Sequence, residues 1–280
     1  NCNFSYSNYN SLNFMSSSSE TLPNNTAIVY NNNNDEYSLN NTFCLNFWVN
    51  PRYSVNIQNE YKAGTIFHLS SSIAVSLVSG STKNENDEID RFKILLQLSH
   101  SADIPPSNIN LNTPAGSHPT NLIFTSSHSL KKDHWHNVTI QWGESINNRT
   151  GSIYIDSDET NFVADFAALS SSIKPSGLVI GNWYKGSNDN LEKLLNTTNA
   201  SLEGYDPSSV STAAPTDSNR FTHPLNAEVH ELKLFNRYFT ETIRPGRDDT
   251  EINNLRYKGV NNFNFSSCQF LLGPYFHPDI

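Results

Sequence analysis

The chain has 280 residues, with 18 lysines and arginines against 27 aspartates and glutamates, and its formal charge is -9 at pH 7. This length suffices for one large β domain, or two small ones, with a core that needs no disulfides. The acidic balance excludes a phosphate-reading surface, because no basic cluster exceeds the pair Lys131 and Lys132. Nucleic acid is therefore not an expected partner.

Short runs of β-branched and aromatic residues, separated by Asn, Ser, Gly and Pro, extend from about residue 10 to about residue 240. In chain order the predicted strands are "TFCLNFWVNP", the two halves of "GTIFHLSSSIAVSLVSG", "RFKILLQLSH", "HWHNVTIQW", "RTGSIYIDSD", "GLVIGNW" and "AEVHELKLF". The first alternates apolar side chains from Phe43 to Val49 before Pro51 ends it. Strands at this spacing, with no helical pattern between them, predict a β-sandwich or barrel.

Polar segments interrupt the strands. Residues 81–90 are an acidic hairpin tip, and residues 101–120 form a longer excursion. The largest is a polar insertion at about residues 185–224, with one helical turn expected at residues 190–195. We expect a sandwich over residues 1–243. The C-terminal extension, residues 244–280, is expected to pack on the sandwich or on a neighbouring domain.

The last predicted strand contains the pair His230 and Glu231. A zinc-protease motif needs a second histidine where Leu234 stands, and the run alternates as a strand, so we interpret the pair as structural. The predicted buried anchors are Val229, Leu232 and Leu234. A β-bulge near Glu231 reconciles their spacing, with Glu231 and Lys233 facing solvent or each other's neighbours.

The three cysteines, Cys2, Cys44 and Cys268, are too few and too scattered for a disulfide framework or a zinc site. Cys44 is expected to be a buried free thiol. Cys2 and Cys268 lie near the two ends, so one bridge between them would close the domain in an oxidising compartment. The many N-x-S/T sequons follow from the Asn- and Ser-rich composition and do not identify the compartment.

Five segments, taken in order, resemble concanavalin A-like and laminin G-like jelly rolls. They are "FCLNFWVNP", "DHWHNVTIQW", "GSIYIDSD", "GLVIGN" and "EVHELKLFNRYFTETI". The resemblance implies an all-β fold, a jelly-roll antiparallel β-sandwich of the concanavalin A-like lectin and glucanase type. Such a domain also occurs in large BEACH-type scaffold proteins. His230 stands where the family usually has Asp, and Ser157 where it usually has Gly, so metal or turn roles are not carried over to them.

The sequence offers little for catalysis. Glucanases of this fold carry E-x-D-x-x-E on a strand, and the nearest text, "ENDEID" at residues 85–90, is interpreted as a solvated loop. No nucleophile elbow, phosphate loop or Rossmann signature is present. His134 and His136 share one side of a predicted strand, but no third metal ligand accompanies them. We therefore expect no enzymatic activity.

Ligand-binding candidates follow from the resemblance to lectins, which use an Asp, an Asn, an aromatic platform and a calcium-supported loop. Those residue types are supplied by Asp156, Asn182, Trp183 and Tyr184. Trp183 and Tyr184 would stack against a sugar ring or peptide at a strand end, or would instead anchor the long insertion. The calcium candidates are Asp87, Asp90, Asp156 and Asp158, with an ordinary acidic hairpin as the alternative. The other tryptophans, Trp48, Trp135 and Trp142, are assigned to the core.

These observations predict a non-catalytic interaction or structural module of a larger protein. It would bind a protein or glycan partner through loops at the edge of the sandwich, with no cofactor expected and calcium as the alternative. The alternative is a secreted or cell-surface lectin-like domain, and a glycoside hydrolase is third.

The chain begins at Asn1 without an initiator Met or apolar signal core, so we expect flanking domains of one parent chain. It also has no apolar run of about eighteen residues, so no transmembrane segment is expected. The expected compartment is the cytoplasm, peripheral to membranes, or else the exterior.

Overall fold

The computed structural model describes a discontinuous set of segments. They are residues 12–14, 27–31, 37, 42–52, 63–80, 90–109, 122–143, 149–164, 177–184, 200–203, 222–240, 252, 255 and 267–272. In this part of the chain the secondary structure is almost entirely β. No helix among the described residues is long and apolar enough to cross a membrane.

The described residues form fifteen β-strands and two 3-10 helices. The strands are β1 (Leu12–Phe14), β2 (Ala27–Asn31), β3 (Thr42–Pro51), β4 (Ala63–Leu69), β5 (Ile73–Ser79), β6 (Arg91–Leu98), β7 (Ile123–Thr125), β8 (Leu130–Lys131), β9 (His136–Gly143), β10 (Thr150–Ile155), β11 (Asp158–Val163), β12 (Gly177–Ile180), β13 (Ala200–Glu203), β14 (Ala227–Phe235) and β15 (Cys268–Leu272). The 3-10 helices are Ser99–Asp103 and Pro106–Asn108. Each strand predicted from the sequence is present.

The strands form two antiparallel sheets. Sheet A has seven strands in the order β1-β14-β3-β9-β10-β11, with β15 also paired to β14. Sheet B has eight strands in the order β13-β2-β12-β4-β5-β6-β7, with β8 also paired to β6. Neighbours such as β14 and β3 are far apart in sequence, as the long crossovers of a jelly roll require. The predicted jelly-roll antiparallel β-sandwich is confirmed.

The main core lies between the two sheets and follows strand alternation. In β3 the side chains of Phe43, Leu45, Phe47 and Val49 are fully buried and belong to this core. Sheet B contributes Ile73, Val75, Leu77, Ile94 and Leu96. Successive side chains of a strand point to opposite faces, so the remaining β3 residues lie on the outer face of sheet A. These outer residues are Cys44, Asn46, Trp48 and Asn50.

The predicted β-bulge in β14 is confirmed. The pairing register of β14 with β3 shifts between His230 and Lys233, and Glu231 has a φ of 50°. Val229, Leu232 and Leu234 are buried, as predicted. Of the two environments expected for Lys233, solvent is wrong, because its side chain is only 2% exposed, and its ammonium group instead pairs with Glu231.

The sequence placed His134 and His136 on one strand, and that placement is wrong for His134. Strand β9 begins at His136, and Asp133 has a φ of 59°, which breaks the extended backbone before the strand. Predicted features in residues 81–89, 110–120 and 185–199 lie outside the described residues. The division into a domain of residues 1–243 and an extension stays a prediction.

Candidate functional site

The predicted ligand residues at the end of β12 are buried. Asn182 is fully buried, and its Oδ1 accepts hydrogen bonds from the backbone N–H of Trp183 and of His223, both at 2.9 Å. Trp183 is 3% exposed and donates from Nε1 to the carbonyl of Ala102 at 3.2 Å. Tyr184 is 4% exposed and packs on the outer face of sheet B. These positions fit the anchoring alternative rather than an open stacking platform.

Residues 181–184 and 222–225 are joined into one unit, which we call the base clamp. The backbone N–H of Thr222 donates to the carbonyl of Trp183 at 3.1 Å, and that of Leu225 donates to Gly181 at 2.9 Å. Gly181 has a φ of 84° and leaves no room for a side chain, because the Phe14 ring packs against its α-carbon. The clamp thus joins the two ends of the segment 185–221.

Two buried histidines support the base clamp. The ring of His68 stacks on Trp183 with centroids 5.2 Å apart, and the ring of His223 meets Trp183 edge-on at 5.9 Å. Nδ1 of His68 accepts from the backbone N–H of Tyr184 at 3.2 Å, so the proton is on Nε2, which donates to Ala102 at 3.1 Å. Burial lowers the pKa of each imidazole to about 4. Both rings are therefore neutral at pH 7.

Asp156 lies on the other sheet from Asn182, Trp183 and Tyr184. It occupies the turn between β10 and β11, with a φ of 56°. Its Oδ1 accepts from the backbone N–H of Asn137 at 3.0 Å, and its Oδ2 lies 2.7 Å from Nδ1 of His136. Nε2 of His136 accepts from the backbone N–H of Lys131 at 2.8 Å, so Nδ1 is the donor to Asp156. The Asp156 carboxylate thus joins the β10–β11 turn to the start of β9.

The calcium candidates do not form one group in the described part of the chain. Asp158 is exposed and lies 3.9 Å from His128, and the backbone carbonyl of Asp90 accepts from Lys132. Asp87 lies outside the described residues. Among those that are described, no three or more His, Cys, Asp and Glu side chains could hold a metal ion together. Calcium binding stays a prediction.

The cysteine predictions are confirmed in part. Cys44 is a fully buried free thiol, and burial raises its pKa, with Lys233 opposing the shift. Cys268 forms no disulfide with another described cysteine, and its Sγ lies 3.3 Å from the carbonyl of Phe270. Cys2 lies outside the described residues, so a Cys2–Cys268 bridge stays a prediction.

The outer face of sheet A carries two half-buried tryptophans. Trp48 pairs in register with His230 on one side and with Asn137 on the other. Trp135 lies just before β9, and its ring meets the His230 ring edge-on with centroids 6.5 Å apart. The assignment of these two tryptophans to the core is wrong, and only Trp142 of the three is fully buried. We call Trp48, Trp135 and His230 the tryptophan patch.

A charged network borders the patch. The Arg52 guanidinium lies 2.9 Å from Glu228 and 3.3 Å from Asp133, and Asn50 donates to the same Glu228 oxygen at 3.2 Å. Arg52 and Asp133 are 40% and 52% exposed, so this pairing contributes little to stability. The exposed hydrogen-bond donors and acceptors of this charged network lie next to the rings of the tryptophan patch.

Three amides surround Trp48 on the same face, and we call them the amide floor. Asn46 and Asn50 flank Trp48 along β3, and Asn137 lies opposite it on β9. Each is at least nine-tenths buried, and each has one amide atom without a hydrogen-bond partner among the described residues. These atoms are Oδ1 of Asn46, Oδ1 of Asn50 and Nδ2 of Asn137. Unpartnered buried polar groups are rare in native proteins because they are costly, so the three require an explanation.

Three residues near the patch have a left-handed backbone, and of these only Glu231 is of a type that seldom adopts it. Among the described residues six non-glycine residues have a positive φ, and Asp133, Asp156 and Glu231 are three of them. Asp133 precedes Trp135, Asp156 binds the backbone of Asn137, and Glu231 follows His230. Such residues cluster at functional sites, because the surrounding structure must hold them in place.

Two carboxylates of this sheet, those of Glu159 and Glu231, are too far apart to form a glycosidase pair. Glu159 on β11 accepts from Ser152 at 2.7 Å and Tyr154 at 2.8 Å, and Glu231 lies on β14. Four strand spacings separate these strands in the sheet order, or about 19 Å, which exceeds the reach of a catalytic pair.

Ser127, His128 and Asp158 lie together on the surface, but the carboxylate does not complete the hydrogen-bond chain of a catalytic triad. The Asp158 carboxylate is 3.9 Å from the imidazole, longer than a hydrogen bond, and all three residues are exposed. Ser127 Oγ lies 3.2 Å from Nδ1 of His128, and it also shares a shorter hydrogen bond with Thr160 at 2.6 Å.

No protein-family model and no curated protein matches this sequence. In fold the chain is similar to the heptameric SAP-like pentraxin from Limulus polyphemus, at 10% identity and a TM-score of 0.43, over 81% of this chain and 76% of that one. It is also similar to a putative carbohydrate binding protein from Bacteroides ovatus, at 10% identity and a TM-score of 0.35, over 81% of this chain and 49% of that one. The botulinum neurotoxin serotype D/C binding domain gives 13% identity and a TM-score of 0.39, over 81% of this chain and 39% of that one. The chain thus spans about half or less of the last two, and these likenesses concern fold alone.

Proposed function

We propose that this chain is a non-catalytic binding module that takes a glycan on the outer face of sheet A, at the tryptophan patch. The observation that carries the proposal is the position of half-buried Trp48 among three buried amides, each with an unused hydrogen-bonding atom. The proposed site is a sheet face, whereas the sequence had indicated the edge loops.

A sugar ring has groups that match both the indole ring of Trp48 and the amide floor. Its C–H surface packs against an indole ring, and its hydroxyl groups both donate and accept hydrogen bonds. The amide floor offers two acceptors, on Asn46 and Asn50, and one donor, on Asn137. A ligand hydroxyl would satisfy a buried group that is otherwise unpaired, and that gain favours the bound state.

Binding at the floor requires a side chain to move. The three amides are at most 2% exposed, so a hydroxyl cannot reach them in the arrangement described. Trp48 is the half-buried neighbour that all three share on the outer face. In the proposed function the indole of Trp48 shifts when the ligand enters, and it then lies against the sugar ring.

A protein partner is the second candidate. Tryptophan and arginine are the residues that most often dominate protein interfaces, and Trp48, Trp135 and Arg52 lie together at this end of sheet A. Membership of a BEACH-type scaffold and the compartment stay predictions.

Replacing Trp48 with Ala tests the proposal. We expect affinity for the glycans that bind the wild type on an array to fall at least about tenfold, because a stacking surface is lost. Isothermal titration calorimetry with the best array ligand measures the change. Val163→Ala is a matched control, since Val163 is an exposed residue on the far edge of the same sheet. Wild-type protein that binds no glycan, or a Trp48→Ala protein that binds equally well, would contradict the proposal.

A further inference from the structure

The bulge in β14 holds a buried lysine beside the tryptophan patch. Lys233 is 2% exposed, and its Nζ lies 3.0 Å from Oε2 of Glu231. The other oxygen of this carboxylate, Oε1, lies 3.7 Å from Nε2 of His230. Lysine is rarely buried this fully unless it is paired. One carboxylate therefore lies between a buried ammonium group and the imidazole of the patch.

The bulge determines on which face of sheet A the His230 side chain lies. Glu231 and Leu232 together lie opposite a single residue of β3, between the register pairs His230–Trp48 and Lys233–Asn46. With this extra residue, Val229 and Leu232 both face the core, while His230 and Lys233 both face outward. In a regular strand that kept Leu232 inside, His230 would turn into the core, because alternate residues share a face.

Glu231, at the bulge, has a backbone conformation that glutamate does not favour. Glu231 has a φ of 50°, a left-handed conformation that non-glycine residues other than Asn and Asp seldom adopt. Something in the surrounding structure must hold it there. The 3.0 Å ion pair with Lys233 is the contact that fixes its side chain.

We propose that Glu231 and Lys233 are positioning residues of the glycan site: their ion pair holds the β14 bulge and so keeps His230 on the outer face beside Trp135. Neither residue touches the ligand. The inference rests on the proposed function, because His230 acts there as part of the patch.

Two double variants distinguish the effect of the backbone conformation at residue 231 from the effect of the charges on Glu231 and Lys233. Glu231→Gly with Lys233→Met removes the ion pair and supplies a residue that adopts positive φ readily. Glu231→Val with Lys233→Met removes the same pair and supplies a β-branched residue that resists positive φ. Replacing both partners with uncharged residues avoids an unpaired buried charge, so both proteins should fold. If the valine variant fails to fold, Glu231→Ala with Lys233→Met takes its place.

We expect the glycine variant to keep affinity within about threefold and the valine variant to lose at least about tenfold, by titration calorimetry. A second readout needs no ligand, namely nuclear Overhauser contacts between the rings of His230 and Trp135. These contacts should persist in the glycine variant and disappear in the valine or alanine variant.

Contacts that persist in the valine or alanine variant would overturn the inference, because the bulge would then stand without the ion pair. Loss of affinity in a glycine variant whose ring contacts persist would overturn it as well, because the pair would then act on the ligand and not through His230. If the wild type binds no glycan, the proposed function fails. The ring contacts then still decide whether the pair positions His230.

Discussion

Acidification from about pH 7 to about pH 4.5 is expected to lower the free energy of unfolding sharply, through the two histidines of the base clamp. His68 and His223 each have a pKa of about 4 in the folded chain, against an ordinary value of 6.5. The unfolded chain therefore binds more protons between these values. Stability is complete above about pH 6.5, falls as the pH falls, and is reduced by about 3 kcal/mol for each imidazole once the pH is below about 4.

The groups that face these imidazoles determine the size of the effect. Burial is the main cause of both shifts. At His68 the nearby carboxylate of Asp103 favours the proton and the neighbouring His223 disfavours it. Protonation of His68 at Nδ1 would also direct an N–H at the backbone N–H of Tyr184, which now donates to that atom. Acid thus breaks one of the hydrogen bonds that join β4 to the clamp.

Urea unfolding at a series of pH values measures this loss. Carboxylates also titrate at the acidic end, so the comparison is between proteins rather than between pH values alone. A His68→Gln, His223→Gln protein should show a much flatter profile between about pH 6.5 and about pH 4.5. His128→Gln, which removes an exposed histidine, should follow the wild type. A wild-type profile that is flat in this range contradicts the account of the clamp.

Trp183→Ala should lose about 3–5 kcal/mol of stability while leaving the ligand affinity of the folded protein unchanged. The substitution creates a cavity between His68 and His223 and removes the hydrogen bond to Ala102. Chemical unfolding at low temperature gives the stability, and calorimetry under the same conditions gives the affinity.

Trp48→Ala is the matched comparison, and the two tryptophans should behave in opposite ways. The half-buried Trp48 should affect binding strongly and stability weakly, whereas the buried Trp183 should affect stability alone. If Trp183→Ala instead weakens binding in a protein that is still folded, the lectin-type assignment of Trp183 is restored and the tryptophan patch loses its support.

Much of the fold was predictable because strand alternation is a local property. The apolar positions from Phe43 to Val49 identify β3, and the spacing of Val229, Leu232 and Leu234 identifies the bulge. The same alternation also indicates that Trp48 faces outward, since it lies between two inward positions. That signal was present in the sequence, and the tryptophan was assigned to the core because of its size and apolarity.

The environments of the site residues were not predictable, because they depend on contacts between residues far apart in the chain. Trp183 follows a strand, which is where an exposed platform is expected, but it is buried by contacts with residues distant in sequence, His68 and Ala102. Lys233 is outward-facing as the pattern predicts, but its pairing with Glu231 keeps it out of water. Trp135 contacts His230 from a turn in which Asp133 has a positive φ, and no periodicity reveals that turn.

The most direct test of glycan binding at the tryptophan patch is the indole N–H spectrum during a glycan titration. The chain has four tryptophans, so a ¹H–¹⁵N correlation spectrum reports each one separately once its indole signal is assigned. We predict that the signals of Trp48 and Trp135 shift together and saturably, while those of the buried Trp142 and Trp183 stay in place. A shift confined to Trp183, or no shift of Trp48 with a glycan that binds, would contradict the proposed site.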